Sequence, residues 1–332
     1  MDELSYQKFL NTKIKDLELD IEERMSPYFE KLKKELVDRN INLWPDFYFG
    51  DEWGCFDKTI SLSIPFYFGH EDLKPIQQSN ITPSELIKIL RHETGHAVNY
   101  AYRLWKRKDW KEHFGNFNKK YSDNYLNRVN PHSKEYVKHL HYLSDGDLHY
   151  AQKHPDEDWA ETFAVWLYPK SGWKTKYQNW PVALSKLEYV DQLMTEIAGQ
   201  KPVNTKTKRD GDYTKIEDTV SEWYGVGEET LDTEIQEYLN DMNDLFTKSL
   251  GSRKKLFPAH ILIRRHARTL AEEVSEMVLG SNKNSVRRCL RIWERICRDE
   301  GLGYSPGDET KKSMGLSSLL TYHVLDGLGR IK

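Results

Sequence analysis

The run "PSELIKILRHETGHAVNYAY", Pro83 to Tyr102, does most to limit what this chain can fold into. Thr82 is a good N-cap, Pro83 suits the first helical position, and Glu85 completes a capping box, so a helix is predicted to open here. Leu86, Ile89, Leu90, Ala97, Tyr100 and Ala101 recur at helical spacing and define its apolar face. His92 and His96 then lie about one turn apart on one side, with Glu93 beside them, and all three flank the apolar stripe. Imidazoles turned toward a core need partners. The alternative is a solvated helix face.

A second run supplies candidate partners. "HPDEDWAETFAVWLY", His154 to Tyr168, reads as a helix from about Pro155 to Leu167, with Glu157 and Glu161 at i and i+4 among Trp, Phe and Ala. Unpaired carboxylates are costly there, so they pair either with a lysine or arginine elsewhere or with a metal. Two imidazoles at i, i+4 with a glutamate after the first have the geometry to hold zinc and to aim Glu93 at its bound water. Asn99 and Tyr102 stand where a metzincin needs Gly and His, which excludes that class. The third ligand is then a carboxylate from a later helix.

The paired motifs "LRHETGHAVNY" and "HPDEDWAETFAVWL" resemble the zinc-binding metallopeptidases of gluzincin type, over roughly residues 45 to 197. The first motif is common to many zincins and the second is specific. The Glu-x-x-x-Glu spacing is also similar to that of the anthrax lethal-factor-like peptidases. That resemblance implies Glu157 as the third zinc ligand and Glu161 as the group that orients a ligand histidine. It also implies Tyr150 as the tyrosine that stabilises the transition state. The implied activity is a zinc-dependent metalloendopeptidase with Glu93 as general base. The rival is a non-catalytic zinc-binding or partner-recruiting module on the same scaffold.

The rest of the chain gives a coarser picture. Residues 4 to 39 read as helix interrupted at Pro27. Between Trp44 and Phe68, aromatic and β-branched residues predict two or three strands, with a hairpin through Asp57-Lys58. In "TISLSIPF" the alternation of Ile60, Leu62 and Ile64 with Thr59, Ser61 and Ser63 predicts one buried and one wet face. As an exposed edge, Thr59 to Phe66 would align a peptide by strand addition. Residues 105 to 155 form a polar connection, with a short helix expected around Ser133 to Leu143. His132, His139, His141, His149 and His154 crowd it but show no i, i+4 pair with a third ligand, and His154 could cap the following helix. A further helix is expected from Pro181 to Ile197.

The expected class is α+β: an N-terminal helical segment (1–40), a zincin-like domain with a small sheet (41–198), a linker (199–212) and an all-α C-terminal domain (213–332). Its helices are placed near 228–249, 258–279, 285–299 and 315–328, with Gly280 and Gly301 as C-caps. From Arg253 to Arg298 there are twelve Lys/Arg against four Glu, which suggests a nucleic-acid or acidic-partner surface. Residues 210 to 244 hold twelve Asp/Glu against one Lys and could neutralise it. The net charge of −3 gives no global pull toward nucleic acid or membrane. No apolar run suits a leader or a membrane span. Cys55, Cys289 and Cys297 are too few and scattered for a disulfide framework, and the reading is cytoplasmic. The expected partner is a peptide or protein substrate.

Overall fold

The computed structural model describes residues 3–77, 81–120, 150–224, 229–248, 256–281 and 283–330. Its contacts divide the chain into two compact units, one of Met1–Leu17 with Ile216–Lys332 and the other of Glu18–Lys215. The grouping differs from the sequence-based division. The first helix, α1 (Glu3–Leu10), goes with the C-terminal unit, whereas α2 (Ile21–Asp38) goes with the central one. The break between them falls in residues 11–20, where Asp20 caps α2. Pro27 lies inside α2 and does not interrupt it.

In the central unit, a sheet of β1 (Asp46–Gly50), β2 (Gly54–Cys55) and β3 (Ser61–Pro65) has the order β1-β3-β2. β1 and β3 are parallel, β2 and β3 antiparallel. The hairpin joining β2 to β3 turns through Asp57-Lys58 as expected, with Lys58 in the left-handed region at φ 56°. β3 is neither an edge nor half wet. It is paired on both sides and every residue is buried. Ser61 is buried with partners: its Oγ donates to Asp46 Oδ2 at 2.8 Å and accepts from the Lys208 N–H at 2.9 Å.

That lysine belongs to the segment expected as a linker. Residues 199–212 instead run pinned along the unit. The Val203 and Asn204 N–H groups donate to the Ala101 carbonyl, Ile60 N–H donates to Lys206, and Asp51 N–H donates to Gly211. Arg209 closes an ion pair on Asp46 at 2.6 Å. Backbone hydrogen bonding of this density is a structural edge, not a tether.

A short helix α3 (Leu73–Gln77) precedes α4 (Pro83–Tyr102), whose capping box forms as predicted, Thr82 and Glu85 each bonding the other's backbone N–H. α4 is anchored to α2 by a buried bidentate pair, Arg91 Nε and Nη2 each 2.7 Å from a Glu35 oxygen. After α5 (Lys108–Phe114) comes α6 (Pro155–Leu167), with the bounds expected and His154 as its N-cap. His154 Nδ1 accepts from the Asp156 N–H while its Nε2–H donates to the Lys119 carbonyl. α7 (Trp173–Lys176) and α8 (Pro181–Glu196) complete the unit.

α4 and α6 cross at Gly95. A Cβ there would sit 3.0 Å from Ala160 Cα and 3.1 Å from Phe163 Cδ1. The close approach also lets the buried Trp159 indole donate to the Gly95 carbonyl at 2.8 Å. Gly95→Ala is therefore expected to push the helices apart and destabilise the unit by about 1–3 kcal/mol, despite the better helix propensity of alanine. A thermal melt equal to wild type would show that the crossing relaxes freely.

The other unit packs α9 (Val220–Tyr224), α10 (Glu229–Leu245), α11 (Ala259–Met277), α12 (Lys283–Asp299) and α13 (Glu309–Arg330) around Met242, Leu262, Ile263, Trp293 and Leu316. It is not all-α. β4 (Thr247–Lys248), β6 (Leu302–Tyr304) and β5 (Phe257–Pro258) form a small antiparallel sheet in that order. These strands are two or three residues long, too short for alternation to register. Gly280 and Gly301 take positive φ after their helices, and Cys289 and Cys297 lie in the core.

Four arginines of α12 are partly buried and engaged. Arg291 stacks 3.3 Å from the Trp223 ring centroid, Arg288 and Arg295 donate to the Glu222 and Tyr224 carbonyls, and Arg298 pairs with Glu294. No described helix is long and apolar enough to cross a membrane.

Candidate metal centre

The helical phase of α4 places His92 and His96 against the first turns of α6. His92 Nε2 lies 3.0 Å and His96 Nε2 3.3 Å from Glu157 Oε2, and the two Nε2 atoms are 3.2 Å apart. One ligand atom from each of the three residues falls within 4.8 Å of the others, a group that could hold a metal ion. All three are buried.

The opposite ring nitrogens test the fit. His92 Nδ1 is 2.8 Å from Glu161 Oε1, and His96 Nδ1 is 2.8 Å from Asp156 Oδ2. Each carboxylate holds an N–H at Nδ1, which leaves the Nε2 lone pair of a neutral ring facing Glu157. This is the second-layer arrangement that fixes tautomer and orientation in metal sites. Two imidazoles and a carboxylate are also an ordinary zinc donor set, so the residues present fit the ion.

Electrostatics agree. Burial works to lower the His92 imidazole, but its hydrogen bonds to Glu157 and Glu161 outweigh that and raise it to about 9. Burial opposes charge on His96 as well, and Asp156 and Glu157 raise it well above its ordinary value. Burial likewise pushes Glu157 up, and the two histidines bring it well below the usual carboxylate range. The pocket is built to stabilise positive charge at the meeting of the three side chains, and a divalent cation meets that demand without protonating the rings.

Glu93 is placed differently. It is half-buried where its helix neighbours are fully buried. Burial raises its carboxyl, the two histidines lower it, and the Cys55 N–H donates to it. The N–H comes from β2, which packs on α4. Tyr150 opens a short turn (Tyr150–Gln152) just before α6, and its ring centroid lies 5.6 Å from that of His92.

The structure thus brings together every residue singled out from sequence: His92, Glu93, His96, Tyr150, Glu157 and Glu161. Sequence reasoning missed Asp156. Its Oδ2 also accepts from the Tyr100 hydroxyl at 2.6 Å, and its Oδ1 accepts from Asn99 Nδ2 at 2.6 Å. The signal was present, since Asn99 and Tyr100 follow His96 at i+3 and i+4. His132, His139, His141 and His149 lie outside the described residues, and the short helix expected at 133–143 does too. His154 caps α6.

No curated protein and no solved structure matches the chain. A family model does. Residues 83–242, which contain both α4 and α6, match the family described as "Putative zinc-binding metallo-peptidase".

Proposed function

We propose that the protein is a zinc-dependent metalloendopeptidase that cleaves peptide or protein substrates. The observation that carries this reading is the convergence of His92 Nε2, His96 Nε2 and Glu157 on one point, with both Nδ1 atoms committed to carboxylates. A zinc ion bound there would lower the pKa of water toward ~7 and polarise a peptide carbonyl.

The remaining work falls to the chain. His92, His96 and Glu157 bind the ion, and Glu161 and Asp156 hold the two rings in place. Glu93 takes a proton at its carboxylate and passes it to the leaving amine. The Tyr150 hydroxyl donates to the developing oxyanion. Among the described residues β2 pairs only with β3, so its other edge is the one along which an extended peptide would add, on the strand whose Cys55 N–H holds Glu93.

The test is digestion of a mixed peptide library by protein stripped with a chelator and then given zinc back. Cleavage that disappears on stripping and returns with zinc is the expected result. A zinc-loaded protein that cleaves nothing would favour the non-catalytic module.

A further inference from the structure

Helix α6 carries a fourth buried acid that neither holds a histidine nor faces the ligand cluster. Asp158 follows Glu157 directly and points to α8, where Lys186 Nζ meets its Oδ2 at 2.6 Å. Both side chains are buried, 8% and 10% exposed for the lysine and the aspartate. This lysine brings a full positive charge into the interior next to the helix that supplies the metal ligand.

Three residues beyond Asp158 on that helix is Glu161, which is 1% exposed and is the partner of His92 Nδ1. Residues at i and i+3 share one helix face. Asp158 and Glu161 accordingly repel each other electrostatically. Any cation that reaches Asp158 is therefore also drawn toward Glu161. A buried carboxylate has limited capacity for strong donors, and a lysine ammonium on a flexible four-carbon stem is a strong competitor for an imidazole N–H. Asp158 gains little for itself from its position. Its Oδ1 has no hydrogen-bond partner among the described residues, so the side chain's described hydrogen bond is the one to Lys186.

Resting on the zinc reading above, we infer that Asp158 is a positioning residue for the metal site, which engages Lys186 and so keeps it off Glu161. With Lys186 held, Glu161 stays on His92 Nδ1 and the His92 Nε2 lone pair stays directed at the ion. With Asp158 neutralised, Lys186 swings to Glu161, and His92 loses the acceptor that fixes its tautomer. The cost is borne by metal affinity. A purely structural ion pair would instead show its loss in stability, equally with and without metal.

The test is zinc affinity, measured by competition with a chromophoric chelator, alongside melting temperature, on the full chain. Asp158→Asn is expected to weaken zinc binding about 10–100-fold, the usual cost of losing an outer partner of a ligand. Adding Lys186→Met to it is expected to restore affinity to within about threefold of wild type, because the competing cation is gone. Unchanged affinity in Asp158→Asn, or no recovery in the double variant, overturns the inference. Should Asp158→Asn fail to fold, Lys186→Met alone decides. It must bind zinc like wild type if the lysine is only a competitor, and a weakened site there would sink the idea. Wild-type protein that takes up no zinc would refute the metal reading itself, a separate outcome.

Discussion

Glu93→Gln is expected to bind zinc as wild type does and to lose peptide hydrolysis by about 10²–10⁴-fold, the contribution general acid–base catalysis makes. The substitution is nearly isosteric and Glu93 touches none of the three ligand atoms through a described hydrogen bond. The amide oxygen can still accept from the Cys55 N–H, so the contact between β2 and the α4 side chain survives. What disappears is a site that can take a proton and return it to the leaving amine. Initial rates on a peptide cleaved by the wild type, with zinc content measured on the same preparations, check the prediction. Full metal with full activity would remove Glu93 from the mechanism. Loss of metal would show that it supports the ligand cluster instead.

Glu157→Ala is expected to take zinc from about one per chain to nearly none and to abolish hydrolysis with it. The reason lies in how the remaining acids are used. Asp156 accepts from His96, Asn99 and Tyr100, and Glu161 is bound to His92. Neither can move into the gap without releasing a ring it orients. Two imidazoles then remain, too few for a stable zinc site. The two imidazoles also lose the carboxylate that lies within 3.3 Å of both. Elemental analysis of protein purified without chelator reads the result directly, and circular dichroism checks that the helices are retained. Stoichiometric zinc in a folded Glu157→Ala protein would move the third ligand to another residue.

Much of the metal centre was legible because helices make short-range spacing into geometry. His92 and His96 fall on one face whatever else the chain does, and Thr82 to Glu85 states where that helix begins. Glu157 and Glu161 could be placed by the same periodicity, with a resemblance assigning their roles. Asp156 escaped because its three partners are on another helix, and the pairing is visible only once α4 and α6 are crossed at Gly95. The Asp158–Lys186 pair escaped for the same reason.

Strands gave less away. The alternation in "TISLSIPF" correctly marked a strand and a turn at Asp57-Lys58, yet it misjudged exposure. Serine and threonine read as wet, and here the Thr59 hydroxyl is satisfied inside by the Phe56 carbonyl and the Ser61 hydroxyl by Asp46 and by the Lys208 N–H of segment 204–211. That segment, rich in Lys, Thr and Gly, has the composition of a tether. Nothing local in it records that its backbone N–H and C=O groups find partners on β3 and α4. A count of charge on α12 likewise does not say what each arginine touches.

The division of the chain between its two units has a temporal meaning. A ribosome delivers residues 18–215 as one uninterrupted length, so everything the ligand-bearing unit needs has emerged by the time Lys215 does. Residues 1–17 precede that length and belong with residues 216–332, which follow it. The central unit can therefore fold while synthesis is still under way, whereas residues 1–17 wait for the rest of theirs. Birth order and completion order run opposite ways in this protein.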